Sequence, residues 1–280
     1  MKKYFFLLLG LLCLSDLQSQ KSLYQFPVGA QAYTFRRSFP INAITTLDSI
    51  QMMGITEIEG GAPKGMSPEQ FRKLCAERGI SIPSTGAGYE QLVKDPMEIV
   101  KTAKILGSTY VMCAWIPHQG NNFTLEDAKK AVEVFNSAGK ILKENGITFC
   151  YHDHGYEFQP YEDGTLFDYL IKNTNPAYVS FEMDVLWTLH GGGDPVSLLK
   201  KYKGRWKLMH LKDLKKGVVG DLSGHTPAEN DVVLGTGQAD FRGILKIAKK
   251  AGVTHCFIED ESNMEMVNVP KSIAYLKGLK

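Results

Sequence analysis

Carboxylates and imidazoles concentrate in the second half of this 280-residue chain, in four short segments that each include an apolar run. The segments contribute one side chain each: Glu157, Asp184, His210 and Glu259. Three carboxylates with one imidazole form a ligand set that suits Mn²⁺, Mg²⁺, Co²⁺, Fe²⁺ or Zn²⁺. Without a cation, three converging carboxylates would repel one another and shift their pKa values. The residue types therefore predict a site for one divalent metal ion, if the fold brings the four segments together.

The elements that must position these side chains follow from a regular alternation of apolar runs and amphipathic segments. Enrichment in Val, Ile, Phe and Tyr predicts eight strands, at residues 28–35, 56–60, 81–85, 109–115, 147–152, 179–184, 207–211 and 255–259. The segments between them carry helix signals. Ser67 and Asp95 each precede a proline, and apolar side chains recur every three or four positions between Thr124 and Gly146.

Strands and helices that alternate from end to end imply a parallel sheet. Eight rounds match a closed barrel, which typically takes about 250 residues. The alternative, an open doubly wound sheet, would in its dinucleotide-binding form carry a Gly-x-Gly-x-x-Gly turn after the first strand, and this chain does not. We therefore predict an α/β fold, a single (β/α)8 TIM barrel over residues 20–280.

The reacting groups of such barrels lie at the carboxyl ends of the strands, where the loops converge on one mouth. The polar side chains at these ends are Glu59, His118, His152, His154, Glu157, Asp184, His210 and Glu259. The four predicted ligands fall on consecutive strands, five to eight. We expect them to converge at about 2.0–2.4 Å from one ion.

Four of these segments resemble successive motifs of the xylose-isomerase-like barrels known as sugar phosphate isomerases/epimerases. They read YHDHGYEF at residues 151–158, FEMD at 181–184, HLKD at 210–213 and FIED at 257–260. EIEGG at residues 57–61 and VLGTG at 233–237 fit the same pattern, so the resemblance covers essentially the whole chain after residue 20. It implies a divalent metal held by Glu, Asp, His and Glu from strands five to eight. It also implies proton transfer at a carbon beside a sugar carbonyl or hydroxyl.

Strand five leaves two alternatives for the ligand. Many relatives place a Glu at the tip of this strand, whereas here the tip is His152 and the nearest Glu, Glu157, comes five residues later. We expect Glu157 to be the ligand, because the turn after His154 could return it over the mouth. If His152 is the ligand instead, the site has two carboxylates and two imidazoles.

The implied reaction assigns roles to further residues. Glu157 and Glu259 are candidate catalytic residues as well as ligands, and His152 or His154 could be the base. Lys212 would face the interior and could contact a substrate oxygen. Each of these last three side chains has an equal alternative, that of orienting a ligand by a hydrogen bond. The candidate substrate-binding residues are Glu59, Trp115, His118 and Trp187, although a tryptophan there could equally belong to the core.

The first residues predict export. Lys2 and Lys3 precede an apolar run at residues 4–14, the order of a secretory signal peptide, which we place at residues 1–19. The run is too short to span a membrane. We expect a periplasmic or extracellular protein, with a lipid anchor at Cys13 less favoured because the bulky Leu12 precedes it.

Export argues against a phosphorylated substrate, since sugar phosphates are cytoplasmic metabolites. The Gly235-Thr236-Gly237 loop could admit an anion through its amides, but a tight turn without a ligand is the favoured interpretation. A formal net charge of +2 indicates no nucleic-acid partner. We predict buried free thiols at Cys75, Cys113, Cys150 and Cys256.

The function predicted from these features is that of an exported, metal-dependent isomerase or epimerase of a free sugar or keto-sugar. The alternative is a lyase or hydratase that acts on a 3-keto-glycoside through the same enolate chemistry. A phosphodiesterase would need more histidines and a basic groove, and a non-catalytic sugar-binding protein is a further rival. The oligomeric state stays open, a homo-oligomer included.

Overall fold

Eight parallel strands close into a barrel in the computed structural model, which describes residues 22–280. The strands are β1 (Gly29–Gln31), β2 (Glu57–Glu59), β3 (Ser81–Gly86), β4 (Tyr110–Cys113), β5 (Thr148–His152), β6 (Val179–Asp184), β7 (Trp206–Leu211) and β8 (His255–Ile258). Each strand pairs with its neighbours in chain order, and β8 closes on β1. The predicted single (β/α)8 barrel is confirmed. The predicted signal peptide and Cys13 lie outside the described residues.

Two predicted strands end early by more than one residue, the fourth at Cys113 instead of residue 115 and the first by a larger margin. The first was expected at residues 28–35, but Ala32–Phe35 forms a 3₁₀ turn. The side-chain carbonyl of Gln31 accepts a hydrogen bond from the backbone N–H of Tyr33, at 2.5 Å, and so caps this turn. The local side-chain bond replaces ladder hydrogen bonds and turns the chain across the mouth.

Helices follow the strands and cover the barrel. They are α1 (Ala43–Met52), α2 (Pro68–Ala76), α3 (Tyr89–Lys94), α4 (Pro96–Leu106), α5 (Leu125–Glu144), α6 (Leu166–Asn173), α7 (Val185–His190), α8 (Pro195–Lys201), α9 (Phe241–Ala251) and α10 (Glu265–Gly278). The helices signalled by Ser67 and Asp95 are confirmed, and these two side chains cap them by accepting hydrogen bonds from the N–H groups of Gln70 and Glu98. Gly107 ends α4 with a φ of 81°, a conformation that side chains with a Cβ resist.

Alternation along the strands separates two environments. Cys150, Leu208 and Phe257 point into the barrel and pack with Met112 as an apolar layer. Tyr151, one residue after Cys150, points outward and packs on Phe135 of α5, with ring centroids 5.0 Å apart. The interior residue two positions further along a strand therefore lies above the apolar layer, toward the mouth.

The four cysteines that follow the predicted signal peptide, Cys75, Cys113, Cys150 and Cys256, are buried free thiols, as predicted. Within residues 22–280, no helix combines the length and apolar character needed to cross a bilayer.

Gly139 on α5 makes a close approach that can be tested. A Cβ at this position would lie 2.6 Å from the backbone oxygen of Tyr178, just before β6. Although alanine favours a helix by about 1 kcal/mol over glycine, we expect Gly139→Ala to destabilise the protein by about 1–3 kcal/mol through this overlap. Gly278→Ala is the control, because a Cβ there meets nothing within 4 Å. Urea denaturation measures both, and a Gly139→Ala protein as stable as wild type would contradict this close packing of α5 on β6.

Candidate metal site and cavity

Side chains from the ends of β5, β6 and β7 meet inside the mouth of the barrel. His152, Asp184 and His210 each offer a ligand atom, and these atoms all lie within 4.8 Å of one another. Asp184 Oδ2 lies 3.9 Å from His152 Nε2 and 3.7 Å from His210 Nδ1. Glu259, which follows β8, brings its Oε2 to 3.3 Å from the same Nδ1. The four groups face one point.

Two further carboxylates hold the imidazoles from the barrel interior. Glu59 Oε2 on β2 lies 2.5 Å from His210 Nε2, and Glu182 Oε2 on β6 lies 3.3 Å from His152 Nδ1. An ionised carboxylate, as each would be beside a bound cation, only accepts, and each contact then places the N–H on the nitrogen that faces it. The other nitrogen of each ring then carries a lone pair toward Asp184. A carboxylate behind a histidine is the usual arrangement where that histidine binds a metal.

Several buried atoms of this cluster have no hydrogen-bond partner among the described residues. They are Glu59 Oε1, Glu182 Oε1, Asp184 Oδ2 and His210 Nδ1. Unpartnered buried polar atoms are rare in proteins, because each one loses its bonds to water. A divalent cation would satisfy the atoms that face the mouth, so the donor set His152, Asp184, His210 and Glu259 fits a metal. Two nitrogens and two oxygens suit Zn²⁺, Fe²⁺, Co²⁺ or Mn²⁺.

A second group could also hold a metal, since ligand atoms of Glu59, Glu182 and His210 lie within 4.8 Å of one another. We favour the first group as the site, because His210 Nε2 is already bonded to Glu59. Glu59 and Glu182 are also fully buried, with no exposed surface. They lie beneath the open space of the mouth rather than on its wall.

The protonation of the cluster reflects its crowded negative charge. Burial and the neighbouring Glu59 raise the pKa of Glu182 well above its usual range. Burial opposes a charge on His210, but the carboxylates around it raise its pKa well above the usual value. Burial likewise opposes ionisation of Glu259, yet Lys212 and His210 hold its pKa well below the usual value. Without a metal, a proton on His210 and the charge of Lys212 compensate the carboxylates.

Glu157 does not join this cluster, contrary to the expectation that it is the strand-five ligand. Its carboxylate accepts hydrogen bonds from the Tyr151 hydroxyl and from the backbone N–H of His154, the latter at 3.0 Å. Tyr151 points outward from the barrel, so the turn after His154 carries Glu157 behind the sheet. His152 takes the position at the strand tip, which gives the alternative set of two carboxylates and two imidazoles. Burial raises the pKa of Glu157 to about 7.

A cavity of about 470 Å³ opens directly above the cluster, within the range of small-molecule sites, about 300–1,000 Å³. Of the residues predicted from sequence, those that line it are Trp115, His152, His154, Trp187, His210 and Glu259. The His154 ring stacks on Trp187, with centroids 4.7 Å apart, and meets Trp115 edge-on at 5.4 Å.

Two predicted substrate contacts lie elsewhere. Glu59 is buried under His210 and is absent from the cavity wall. His118 stacks behind Trp115 at 4.9 Å, and its Nδ1 lies 2.7 Å from the backbone oxygen of Ile116. Both residues follow or end a strand as predicted, but the Glu59 side chain binds His210 and the His118 ring packs on Trp115.

Lys212 is buried and binds acids. Its Nζ donates to Glu259 Oε2 at 3.1 Å and to Glu261, and it lies 5.2 Å from the centroid of the Trp187 ring. Burial disfavours its charge, but Glu259 and Asp184 raise its pKa well above the usual value. The lysine therefore stays charged and positions Glu259.

Sequence reasoning missed several residues of the site. Glu182 lies two positions before Asp184, so strand alternation could have placed both in the interior. Gln31, Tyr33, His225 and Glu261 line the cavity. His225 lies in the loop between β7 and α9 and carries no periodic signal. Only the fold brings it to 5.6 Å from the Trp115 ring.

The Gly235-Thr236-Gly237 loop is a closed turn. The Asp213 carboxylate accepts hydrogen bonds from the backbone N–H groups of Gly235 and Gly237, each at 2.9 Å, and of Ala239 at 3.0 Å. These amides are the donors that a phosphate would need, and Asp213 already occupies them.

Curated relatives match about a third of the chain in sequence, whereas solved structures match nearly all of it in fold. An inosose dehydratase of Clostridium tetani is 36% identical over 98 residues, which are 35% of this chain and 32% of that protein. The chain thus matches about a third of the length of such curated relatives. The crystal structure of a sugar phosphate isomerase/epimerase from Parabacteroides distasonis has a TM-score of 0.71 at 27% identity, covering 90% of this chain and 93% of the other.

The zinc-bound structure of the IolI protein has a TM-score of 0.69 at 15% identity, covering 90% of this chain and 95% of that one, and this likeness concerns the fold alone. The family described as Xylose isomerase-like TIM barrel matches residues 47–279, from α1 to the end of the last helix. This match extends over far more than half of the 280 residues. The chain therefore belongs to the xylose isomerase-like TIM barrel family.

Proposed function

We propose that this protein is a metal-dependent enzyme that isomerises or epimerises an unphosphorylated sugar or keto-sugar by proton abstraction beside a carbonyl. The observation that carries the proposal is the pair of imidazoles, each held by a buried carboxylate on one nitrogen while the other faces the cavity. Similarity to the sugar phosphate isomerase/epimerase of Parabacteroides distasonis supports the reaction class.

His152, Asp184, His210 and Glu259 would hold the cation. A divalent ion bound there would supply a Lewis acid for the carbonyl and adjacent hydroxyl of the sugar, and so stabilise negative charge on the substrate. The zinc of the IolI structure supports a metal in this type of barrel. Glu59 and Glu182 orient the imidazoles, and Lys212 holds Glu259 Oε2, the oxygen that also lies next to His210 Nδ1.

His154 is the base in this proposal, since His152 serves as a ligand. Burial lowers the pKa of His154 to about 3, which keeps its ring neutral at pH 7. Its Nδ1 has no hydrogen-bond partner among the described residues. Trp115 and Trp187 on either side would pack against the apolar face of a sugar and exclude water from the reacting carbon.

The second candidate is a lyase or dehydratase that expels a β-leaving group after the same proton abstraction. Similarity to inosose dehydratases over 98 residues favours it. The exposed His225 lines the same cavity near Trp115 and would protonate the leaving group. The two candidates share the ligands and the base, and differ in the step after proton removal.

We further propose export, on the basis of the signal-peptide pattern at residues 1–19. An exported enzyme meets free sugars and glycosides rather than sugar phosphates. The engagement of the glycine-loop amides by Asp213 agrees with a substrate that places no phosphate at this turn.

Loss of a proposed ligand should remove the metal. We expect His210→Ala to purify with less than a tenth of the metal of wild type, because the central nitrogen of the set is gone. His118→Gln, which changes an imidazole outside the set, should keep a full complement. Elemental analysis of the two variants and wild type measures this, and equal metal in all three would refute the assigned ligands.

The orienting role of Glu59 has a matched control on the same strand. Glu59→Gln should weaken metal affinity about 10–100-fold, because the carboxylate that holds His210 is lost. Glu57 holds His255 in the same way, at 2.8 Å, so Glu57→Gln perturbs a similar pair at the other end of the barrel. Competition with a chromogenic chelator gives the two affinities. A similar loss in both variants would indicate a general structural effect instead.

The reaction itself is tested in D₂O with metal-loaded protein and a panel of sugars, keto-sugars and 3-keto-glycosides. We expect solvent deuterium at one substrate carbon, with a changed sugar for an isomerase and a released aglycone or water for a lyase. His154→Gln should slow exchange by about 10²–10⁴-fold while metal content stays unchanged. Binding without exchange or product across the panel would instead identify a non-catalytic sugar-binding protein.

A further inference from the structure

A second cavity of about 350 Å³ lies beside the first and shares two wall residues with it, Gln31 and Tyr33. It runs over the ends of β1, β2 and β3, away from the candidate metal ligands. Its wall includes Arg36 and Lys64, and among the described residues no Asp or Glu lines it. We refer to this cavity as the β1–β3 groove.

Arg36 is held in place but has no acidic partner among the described residues. Its guanidinium donates to the backbone oxygens of Tyr33, at 3.2 Å, and of Glu261, at 2.6 Å, and lies 4.6 Å from the centroid of the Tyr33 ring. A guanidinium has five N–H donors, so others stay free. The adjacent Arg37 differs, because it pairs with Glu265 at 2.7 Å. Arg36 is therefore a preorganised cation whose charge is not balanced by a carboxylate of the described chain.

The residues shared by the two cavities suit a ligand that crosses between them. The Gln31 side chain is buried, and its carbonyl is used by the Tyr33 N–H, while its NH₂ group has no hydrogen-bond partner among the described residues. Tyr33 is 51% exposed, so its ring is open to a ligand at this point. An amide donor beside an open aromatic ring is a common combination at sugar subsites.

The groove is also kept open by glycine. Gly61 and Gly86 contribute wall without side chains, whereas Gly60 is required by the backbone, because its φ is 142° and a Cβ there would lie 2.7 Å from Ala32 Cβ. A Cβ at Gly86 would meet no atom within 4 Å, so the space above it is empty of protein. The wall of the groove at Gly86 is therefore open to a ligand.

We infer that the substrate extends from the metal cavity past Gln31 and Tyr33 into the β1–β3 groove and carries an anionic group there, bound by Arg36 and Lys64. The inference rests on the proposed unphosphorylated sugar substrate and names its class: a sugar with a second unit that bears a carboxylate. A phosphate is the competing source of the charge, and the experiment separates the two.

The test measures binding to metal-loaded protein by titration calorimetry. The probes are matched sets of disaccharides and of monosaccharides, each with a neutral, a uronic acid and a phosphorylated member. We expect an anionic disaccharide to bind about five- to tenfold more tightly than its neutral counterpart at low salt. The advantage should shrink as added salt screens the charges. The uronic acid should bind at least as tightly as the phosphorylated member, and tighter binding of the phosphorylated member would contradict a carboxylate-bearing substrate.

Two variants locate the effect in the groove. Lys64→Gln removes an exposed charge, and together with Arg36→Gln it should abolish the preference for the anionic probe. Lys216→Gln is the matched control, since Lys216 is an exposed lysine that lines neither cavity, and this variant should keep the preference. If Arg36→Gln disturbs folding, judged by circular dichroism, Lys64→Gln alone should still reduce the preference.

Gly86→Val tests occupancy without removing a charge. The added side chain enters empty space and suits a strand, so folding should be retained. Disaccharide affinity should fall about tenfold or more, while monosaccharide affinity stays within about twofold. Equal binding of neutral and anionic probes, no binding of either, or a preference that survives the double variant overturns the inference. Because binding needs no turnover, absence of exchange in D₂O would refute the proposed reaction and leave this result intact.

Discussion

Two carboxylate–imidazole pairs inside the barrel, Glu59 with His210 and Glu182 with His152, determine what the mouth can bind. Each carboxylate takes one ring nitrogen and thereby directs the other toward the cavity. A buried carboxylate is costly unless it is paired, and a buried imidazole without a fixed partner could present either nitrogen. The pairs resolve both problems together. The mouth consequently has two oriented nitrogen donors next to Asp184 and Glu259.

The apolar layer of Cys150, Leu208 and Phe257 makes these pairs strong. It lies under the cluster and separates it from the other end of the barrel. Water cannot screen charges that are closed off on this side by apolar side chains, so each interaction counts for more than at a surface. The same residues explain the placement of the site. Each lies two positions before a site residue on its strand, and strand alternation puts both into the interior.

The segment after β7 shows how one short motif serves several parts of the site. His210 faces the candidate metal, Lys212 holds Glu259, and Asp213 binds the amides of the glycine loop. The motif thus joins the candidate metal ligands on β7 and after β8 to the loop before α9. An amide turn that in other proteins would attract a phosphate is used here for structure. This use is consistent with an anionic group being bound elsewhere, in the β1–β3 groove.

The sequence alone was enough to predict the eight strands, the barrel and three of the four candidate ligands, Asp184, His210 and Glu259. These features depend on local periodicity and on the rule that strand ends meet at one mouth. The sequence could not decide whether His152 or Glu157 is the candidate ligand at strand five. The direction of the turn between them depends on the hydrogen bonds that its side chains make. The Tyr151 hydroxyl and the backbone N–H of His154 draw Glu157 behind the sheet. Glu59 likewise had the right strand position but an unforeseen partner on a strand across the barrel.

Contacts between distant segments were decided by the tertiary structure. His225 and Glu261 reach the cavity from loops, and Arg36 reaches the backbone of Glu261 across 225 positions of sequence. No residue spacing encodes such contacts, since they depend on the loops that the closed barrel brings together at its mouth. The chain by itself therefore determined which strands carry the chemistry, through alternation and residue type. Closure of the barrel decided which atoms face one another, because it sets the distances between side chains that are remote in sequence.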